Sequence, residues 1–178
     1  MKVIKNILTK STHADFGMVR FTVTNVKGLG PMMVAVNDEG LCWTGMTDSV
    51  ARLKKEFPAS VLMRDDKLKK LGAEIAALWS GKKKSLSVPL VLTGTGFQML
   101  VWSELLKIKK GTTLTYQEIA KKIGKPKAVR AVGSAVGSNP ITLIVPCHRV
   151  LSKSGTKLKF GWGPDVKKKL LNAEGVKV

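Results

Sequence analysis

Apolar and polar residues alternate from Met18 to Val23, and apolar residues cluster from Pro31 to Val36 and from Leu41 to Thr44. Alternation is the period of a half-buried strand, and short apolar runs bounded by turn residues read as inner strands. The gaps carry that turn chemistry, Gly28-Leu29-Gly30 and Asn37-Asp38-Glu39-Gly40. A helix capped by Thr47 or Asp48 is expected to run to Phe57, where Pro58 follows. Another is expected from Asp65 or Asp66, with Leu68, Leu71, Ile75 and Leu78 at helical spacing and Gly81 just past its end. Ser87 to Leu92 reads as a final strand. Residues 1–92 are therefore expected to form a small α/β domain around a short antiparallel sheet.

The pattern changes after Thr93-Gly94-Thr95-Gly96, which reads as a hinge. Phe97, Leu100, Val101, Leu105 and Ile108 mark one face of a helix that stops at Gly111. Thr115 is placed to cap a helix from Tyr116 to Ile123, with Glu118 at the third position as in a capping box. Gly124-Lys125-Pro126 breaks it, and Lys127 to Gly137 follows as a second helix. Two readings of the pair stand side by side, a helix-turn-helix and an ordinary helical hairpin. Ile141 to Val145 reads as a short buried strand, Leu151 to Gly163 as a loop, and Asp165 to about Ala173 as a last helix carrying Val166, Leu170 and Leu171. Residues 93–178 are thus expected to form a mostly helical second domain, giving an α/β (α+β) fold overall.

Charge alters this picture. Lys and Arg number 31 against 12 Asp and Glu, a formal net charge of +19. Such a field draws polyanions and speeds encounter with them. Dispersed lysines also make a solvated face, so both readings remain. No apolar run is long enough to span a membrane, and the N-terminus lacks a signal-peptide core. Two cysteines far apart fit a reducing cytosol, so a cytoplasmic protein is expected, nucleoid-associated if prokaryotic. Two Cys and two His at no ligand-like spacing make no metal site, and no cofactor is expected. Cys42 is expected to be a buried, inert thiol, and His13 to lie on the surface.

The candidate chemistry sits at Pro146-Cys147-His148-Arg149-Val150. A thiol reacts as its thiolate, and a nearby imidazole or cation eases thiolate formation. The apolar run before it is read as the strand that delivers the thiol. Adjacent strand residues face opposite ways, so His148 needs a bend or a bridging water to serve Cys147; Pro146 offers the irregularity. An ordinary Cys-His neighbour pair is the other reading. The helix from Ala128 reads AVRAVGSAVG, small residues with Arg130 as its sole cation after Lys127. That composition allows close backbone approach but few base-edge contacts, so sequence-specific readout is not expected. Phe160-Gly161-Trp162-Gly163 either walls a base-binding pocket or covers the core.

Together, Pro89-Leu90, Gly94-Thr95, Phe97-Gln98, Val101-Trp102, Thr115-Tyr116, Ile123 to Pro126, Ala128 to Val132, Asn139-Pro140 and Pro146 to Val150 resemble the O6-alkylguanine-DNA alkyltransferase family. The match runs from about residue 89 to the C-terminus. The first domain resembles the family's ribonuclease-H-like domain more loosely, chiefly through its layout and Leu41-Cys42-Trp43.

The resemblance implies a single-use repair reaction, in which O6-alkylguanine, and O4-alkylthymine as well, is flipped from duplex DNA and dealkylated. It implies Cys147 as alkyl acceptor, His148 as general base through a water, Glu174 as the acid that orients the histidine, and Asn139 as the brace of the turn. For Glu174 the other reading is a solvated carboxylate. Tyr116 and Arg130 match the flipping pair, the tyrosine crowding the 3′ phosphate and the arginine filling the vacated stack. Gln117, Lys125, Ala131, Gly133, Ser134 and Lys153 join them as expected DNA contacts. Tyr116, Val150, Phe160, Gly161 and Trp162 are the implied substrate pocket. The recognition helix is expected in the minor groove without sequence specificity, and the protein as a monomer in solution.

Two departures stand out. Phe160 occupies a position where the family usually has tyrosine, so a hydroxyl contact is lost. The family's N-terminal zinc ligands and the methylphosphotriester-accepting domain of the adaptive-response regulator have no counterpart, so repair without transcriptional control is expected. Two rivals remain. A non-catalytic lesion binder of the alkyltransferase-like type replaces the cysteine that this chain keeps. A thiol hydrolase using Cys147, His148 and Glu174 leaves Arg130 and Tyr116 without a task.

Overall fold

The computed structural model describes residues 7–10, 16–153 and 158–178; His13 lies outside them. Two compact units divide the chain at Gly94/Thr95. The first unit holds strands β1 (Ile7–Lys10), β2 (Met18–Val26), β3 (Gly30–Asn37), β4 (Gly40–Gly45), β5 (Val61–Arg64) and β6 (Leu90–Thr93), with helices α1 (Val50–Glu56) and α2 (Lys69–Ser80). The sheet order is β1-β6-β4-β3-β2-β5.

β2, β3 and β4 form the expected antiparallel meander. The sheet is larger and more mixed than its alternation pattern indicates. β5 joins β2 in parallel, with Met18 opposite Val61, and β6 joins β4 and β1 in parallel. β5 escapes a sequence reading because Val61 and Met63 are exposed at the sheet edge and give no clean period. Leu41 N–H donates to the Pro89 carbonyl at 2.9 Å, which fastens β6 to the meander. Gly40 makes this approach possible: its φ is +151°, and a Cβ there would lie 2.4 Å from the Pro89 oxygen.

The helices begin later than Thr47 or Asp65 indicates. α1 has Ser49 at its N-cap without a side-chain bond, and α2 is preceded by a 3₁₀ turn, Asp66–Leu68, capped by Asp65. Gly81 ends α2 in the left-handed conformation, as expected. Cys42 is buried, donates to the Ala35 carbonyl at 3.4 Å, and is pushed up to about 12 by burial, so it stays an unreactive thiol.

The second unit is built on α3 (Gly96–Leu105), α4 (Tyr116–Lys122), α5 (Val129–Gly137) and α6 (Pro164–Ala173), with a two-stranded parallel ladder of β7 (Leu114–Thr115) and β8 (Val150–Leu151). Two capping boxes start helices, Thr95 with Gln98 and Thr115 with Glu118. Trp102 of α3 is 1% exposed, and its Nε1 donates to the Ala135 carbonyl of α5 at 2.7 Å. Burying that indole while pairing its N–H fixes α5 against α3; truncating such a side chain typically costs about 3–5 kcal/mol. Gly124, with φ +71°, makes the left-handed turn from α4 towards α5.

One expectation is overturned. Ile141 to Val145 is not a strand, and Cys147 is not carried by one. The run is a buried turn in which Val145 N–H donates to the Ile141 carbonyl at 3.0 Å and Leu143 adopts φ +74°. Cys147-His148-Arg149 forms a 3₁₀ turn behind Pro146. The cause is Asn139, whose Oδ1 accepts from Ile141 N–H at 3.0 Å and whose Nδ2 donates to the Val145 carbonyl at 2.8 Å. Those two bonds satisfy the backbone locally, so the apolar run folds back inside the core instead of extending.

Candidate active site

The turn changes how Cys147 and His148 are presented. In the 3₁₀ conformation the two side chains need not point to opposite faces as they would in a strand. Cys147 is 5% exposed and accepts from Asn139 Nδ2 at 3.0 Å. His148 is fully buried, and its Nε2 lies 3.1 Å from Glu174 Oε1. His148 Nδ1 is buried without a hydrogen-bond partner in the protein. Nδ1 is thus the ring nitrogen that Glu174 does not engage.

Glu174 is no solvated carboxylate. It sits at the C-cap of α6 with a buried side chain, between His148 and Arg149. Arg149 grips it with both arms of the fork, Nε to Oε2 and Nη2 to Oε1, each at 2.8 Å. The third arm, Nη1, donates to the Ile108 carbonyl at 2.6 Å.

Protonation follows from these contacts. Burial pushes the Glu174 carboxyl up, but hydrogen bonds from His148 and Arg149 and their charges outweigh it and hold the group down at about 2. Burial lowers His148 below its ordinary value; Glu174 opposes that, and the cations of Arg149 and Lys167 add to it. The imidazole therefore rests neutral. Burial raises the Cys147 thiol, against the lowering effects of the Asn139 hydrogen bond and the Lys167 charge. The resting pair is a thiol beside a neutral base, not a preformed thiolate.

Two roles escape the sequence reading. The hold of Arg149 on Glu174 is one, because the motif places that cation only beside the thiol. Lys167 is the other: it is 1% exposed, its Nζ donates to the Val150 carbonyl at 2.6 Å and to Lys159 at 3.2 Å, and burial lowers it to about 8. Lysine is ordinarily read as surface, but the spacing held a signal. Lys167, Leu170, Leu171 and Glu174 follow the i, i+3, i+4, i+7 stripe of a helix, and all four are buried.

The other candidates fall into two groups. Val150 is buried in β8, and the β7–β8 ladder pairs Thr115 with Leu151, which brings the start of α4, and Tyr116, to the strand that follows the Cys-His turn. Tyr116 is half-buried, and burial followed by Cys147 raises its hydroxyl. Phe160 and Trp162 are half-buried and Gly161 exposed. Trp162 Nε1 donates to Thr142 Oγ1 at 2.8 Å, so this ring is tied to the buried turn. The second group faces outward. Arg130, Ala131 and Ser134 are exposed on α5, Lys125 just before it, and Lys153 beyond β8. A Cβ added at Gly133 would meet nothing within 4 Å. Gln117 spends one amide N–H on the Pro126 carbonyl at 3.0 Å, which staples the turn between α4 and α5. Residues 95–178 carry sixteen basic and four acidic side chains, against fifteen and eight in 1–94, so the positive field is concentrated in the unit that holds Cys147. Among the described residues no cluster of His, Cys, Asp and Glu has the arrangement of a metal site.

Residues 96–176 match the family model described as 6-O-methylguanine DNA methyltransferase, DNA binding domain. The inducible methylated-DNA–protein-cysteine methyltransferase of Bacillus subtilis is 45% identical over 122 residues, 68% of each chain. The corresponding protein of Methanosarcina acetivorans is 41% identical over 147 residues, 83% of this chain and 93% of that one. Among solved structures, Mycobacterium tuberculosis OGT in complex with DNA superposes with a TM-score of 0.71 at 36% identity, covering 88% of this chain and 92% of that one.

Proposed function

The chain belongs to the methylated-DNA–protein-cysteine methyltransferase family and repairs DNA by alkyl transfer; from that premise we propose that it flips O6-alkylguanine out of the duplex and moves the alkyl group irreversibly to Cys147, once per chain. One observation carries the flipping step: Cys147, which bears the acceptor sulfur, is buried at 5% exposure. A base held in the stack cannot reach it, so the nucleotide must leave the duplex and enter the protein.

Tyr116 and Arg130 divide that work. Tyr116, at the first turn of α4, crowds the phosphate and turns the nucleotide. Arg130, exposed on α5, fills the vacated stack, offsetting part of the few kcal/mol that extrusion costs. The small outer face of α5 suits the minor groove, where base edges are degenerate and any sequence is acceptable.

Chemistry then proceeds from the neutral pair. The Cys147 thiol proton passes through a bridging water to His148 Nδ1, and the sulfur attacks the alkyl carbon. The C–S bond forms as the C–O6 bond breaks, and guanine takes up a proton as its ordinary keto form leaves. Glu174 stabilises the imidazolium that forms, as the third member of a nucleophile–base–orienter set. No step removes the alkyl group from the thioether, so the protein acts once. O4-alkylthymine fits the same chemistry, because its alkyl carbon is also bound to an exocyclic oxygen.

Intact mass after incubation with duplex DNA containing O6-methylguanine tests this. The expected result is one added methyl per chain, on Cys147, abolished by Cys147→Ser. Tight binding with unchanged mass overturns the transfer, and repair of more lesions than there are chains overturns single use.

A further inference from the structure

We propose that Arg149 is the positioning residue that decides which nitrogen of His148 receives the thiol proton, by holding both oxygens of Glu174 as oriented acceptors. The inference rests on the reading above that His148 is the base.

Donors and acceptors fix where the hydrogen sits. A guanidinium has five N–H donors and no acceptor, and it keeps its charge at any working pH. Arg149 donates to Oε2 through Nε and to Oε1 through Nη2, each at 2.8 Å. Both carboxylate oxygens are thereby committed as acceptors. Oε1 also faces His148 Nε2 at 3.1 Å, so that nitrogen must be the one bearing hydrogen. The lone pair is then on Nδ1, which is the buried nitrogen without a protein partner. Without Arg149 the carboxyl is free to turn or to take up a proton, and the opposite tautomer becomes accessible.

Charge adds a second effect. A lone buried carboxylate beside His148 favours imidazolium, which has no capacity to accept a proton. Among the described residues, the charged and titratable groups around His148 are Glu174, Arg149, Lys167 and the neighbouring thiol of Cys147. Arg149 neutralises the one anion among them, so the imidazole stays neutral until the thiol gives up its proton. The third arm of the guanidinium, on the Ile108 carbonyl at 2.6 Å, keeps it from following Glu174 if that side chain moves. A lysine at 149 supplies a charge but not this three-way geometry.

The test is ¹⁵N NMR of imidazole-labelled protein, with His13→Gln removing the other histidine signal, alongside single-turnover methyl transfer as a function of pH. The unaltered site is expected to show the Nε2–H tautomer and a midpoint below the ordinary histidine value. In Arg149→Met the midpoint is expected to rise by a unit or more and Nδ1–H to appear. Transfer at neutral pH should fall ~10-fold and recover at alkaline pH, with Arg149→Lys intermediate. A folded Arg149→Met with the original tautomer and midpoint, and a rate loss uniform across pH, makes Arg149 a scaffold residue only and overturns the proposal. An Nδ1–H tautomer in the protein with Arg149 intact overturns it too, whatever the variant does. His148→Ala with full activity overturns the base reading instead, and leaves the tautomer result to stand by itself.

Discussion

Asn139 Nδ2 donates at once to the Val145 carbonyl at 2.8 Å and to the Cys147 sulfur at 3.0 Å. One amide therefore shapes the buried turn and tethers the Cys147 thiol that follows it. Asn139→Ala removes these bonds and leaves Ile141 N–H without its acceptor. At about 1 kcal/mol for each hydrogen bond, the variant should lose roughly 2 kcal/mol or more in urea unfolding, and alkyl transfer should slow. Asn139→Asp should restore the bond to Ile141 N–H but not the donors, and so recover stability only in part.

The role proposed for Arg130 lies in the duplex and not in the reaction. Arg130→Ala should slow repair of O6-methylguanine in double-stranded DNA by ~10²-fold, the equivalent of a few kcal/mol of extrusion cost. Reaction with free O6-benzylguanine should be nearly unchanged. Equal losses on both substrates would remove the arginine from the flipping step.

Lys167 places a cation within reach of the thiol from the buried stripe of α6. Lys167→Met should raise the Cys147 thiol further and slow transfer ~10-fold, read by thiolate absorbance and single-turnover kinetics. The same variant has a stability signature. The folded group titrates at about 8 against an ordinary 10.5, so between these values the unfolded chain holds a proton that the native one does not. Stability should therefore rise as pH goes from 8 to 10.5 in a Cys147→Ser background, and Lys167→Met should abolish that rise.

Glu174 makes the fold sensitive to acid. Its folded value of about 2 lies below the ordinary 4.5, so its contribution is complete above 4.5 and disappears as pH falls towards 2. The amount is on the order of 3 kcal/mol for this buried carboxylate. His148, also lowered, adds a loss that begins near 6.5, where the unfolded chain takes up a proton that the native site resists. Urea midpoints from pH 7 to 3 should fall accordingly, and Glu174→Gln should flatten the lower part of the curve.

Helix positions were legible wherever local chemistry is strong. Thr115 with Glu118, Gly81, and the apolar face from Val101 to Leu105 fix element type without tertiary information. The turn at Ile141 to Val145 was not legible, because a short apolar run is equally compatible with a buried strand and a buried bend. What decides between them is the Asn139 side chain, two residues upstream. β1 and β5 were missed because parallel edge strands take their register from distant partners, not from their own pattern. Cys147, His148 and Arg149 stand out together as a motif, but the hold of Arg149 on Glu174 does not, and Lys167 looks like one more cation in a basic chain. Their burial is a property of the folded stripe and turn, which residue type conceals.

The open surface over Gly133 has an implication of its own. Alanine is the better helix former by about 1 kcal/mol, and the added methyl would touch nothing within 4 Å. Gly133→Ala should thus melt at a slightly higher temperature. With α5 docked on DNA as proposed, larger residues at 133 would act as shims of graded thickness, setting how far the helix stands off the duplex while the protein beneath stays the same. Plotting repair rate against that thickness would measure, in steps of a single carbon, how deep the helix has to sit before a base can be drawn out.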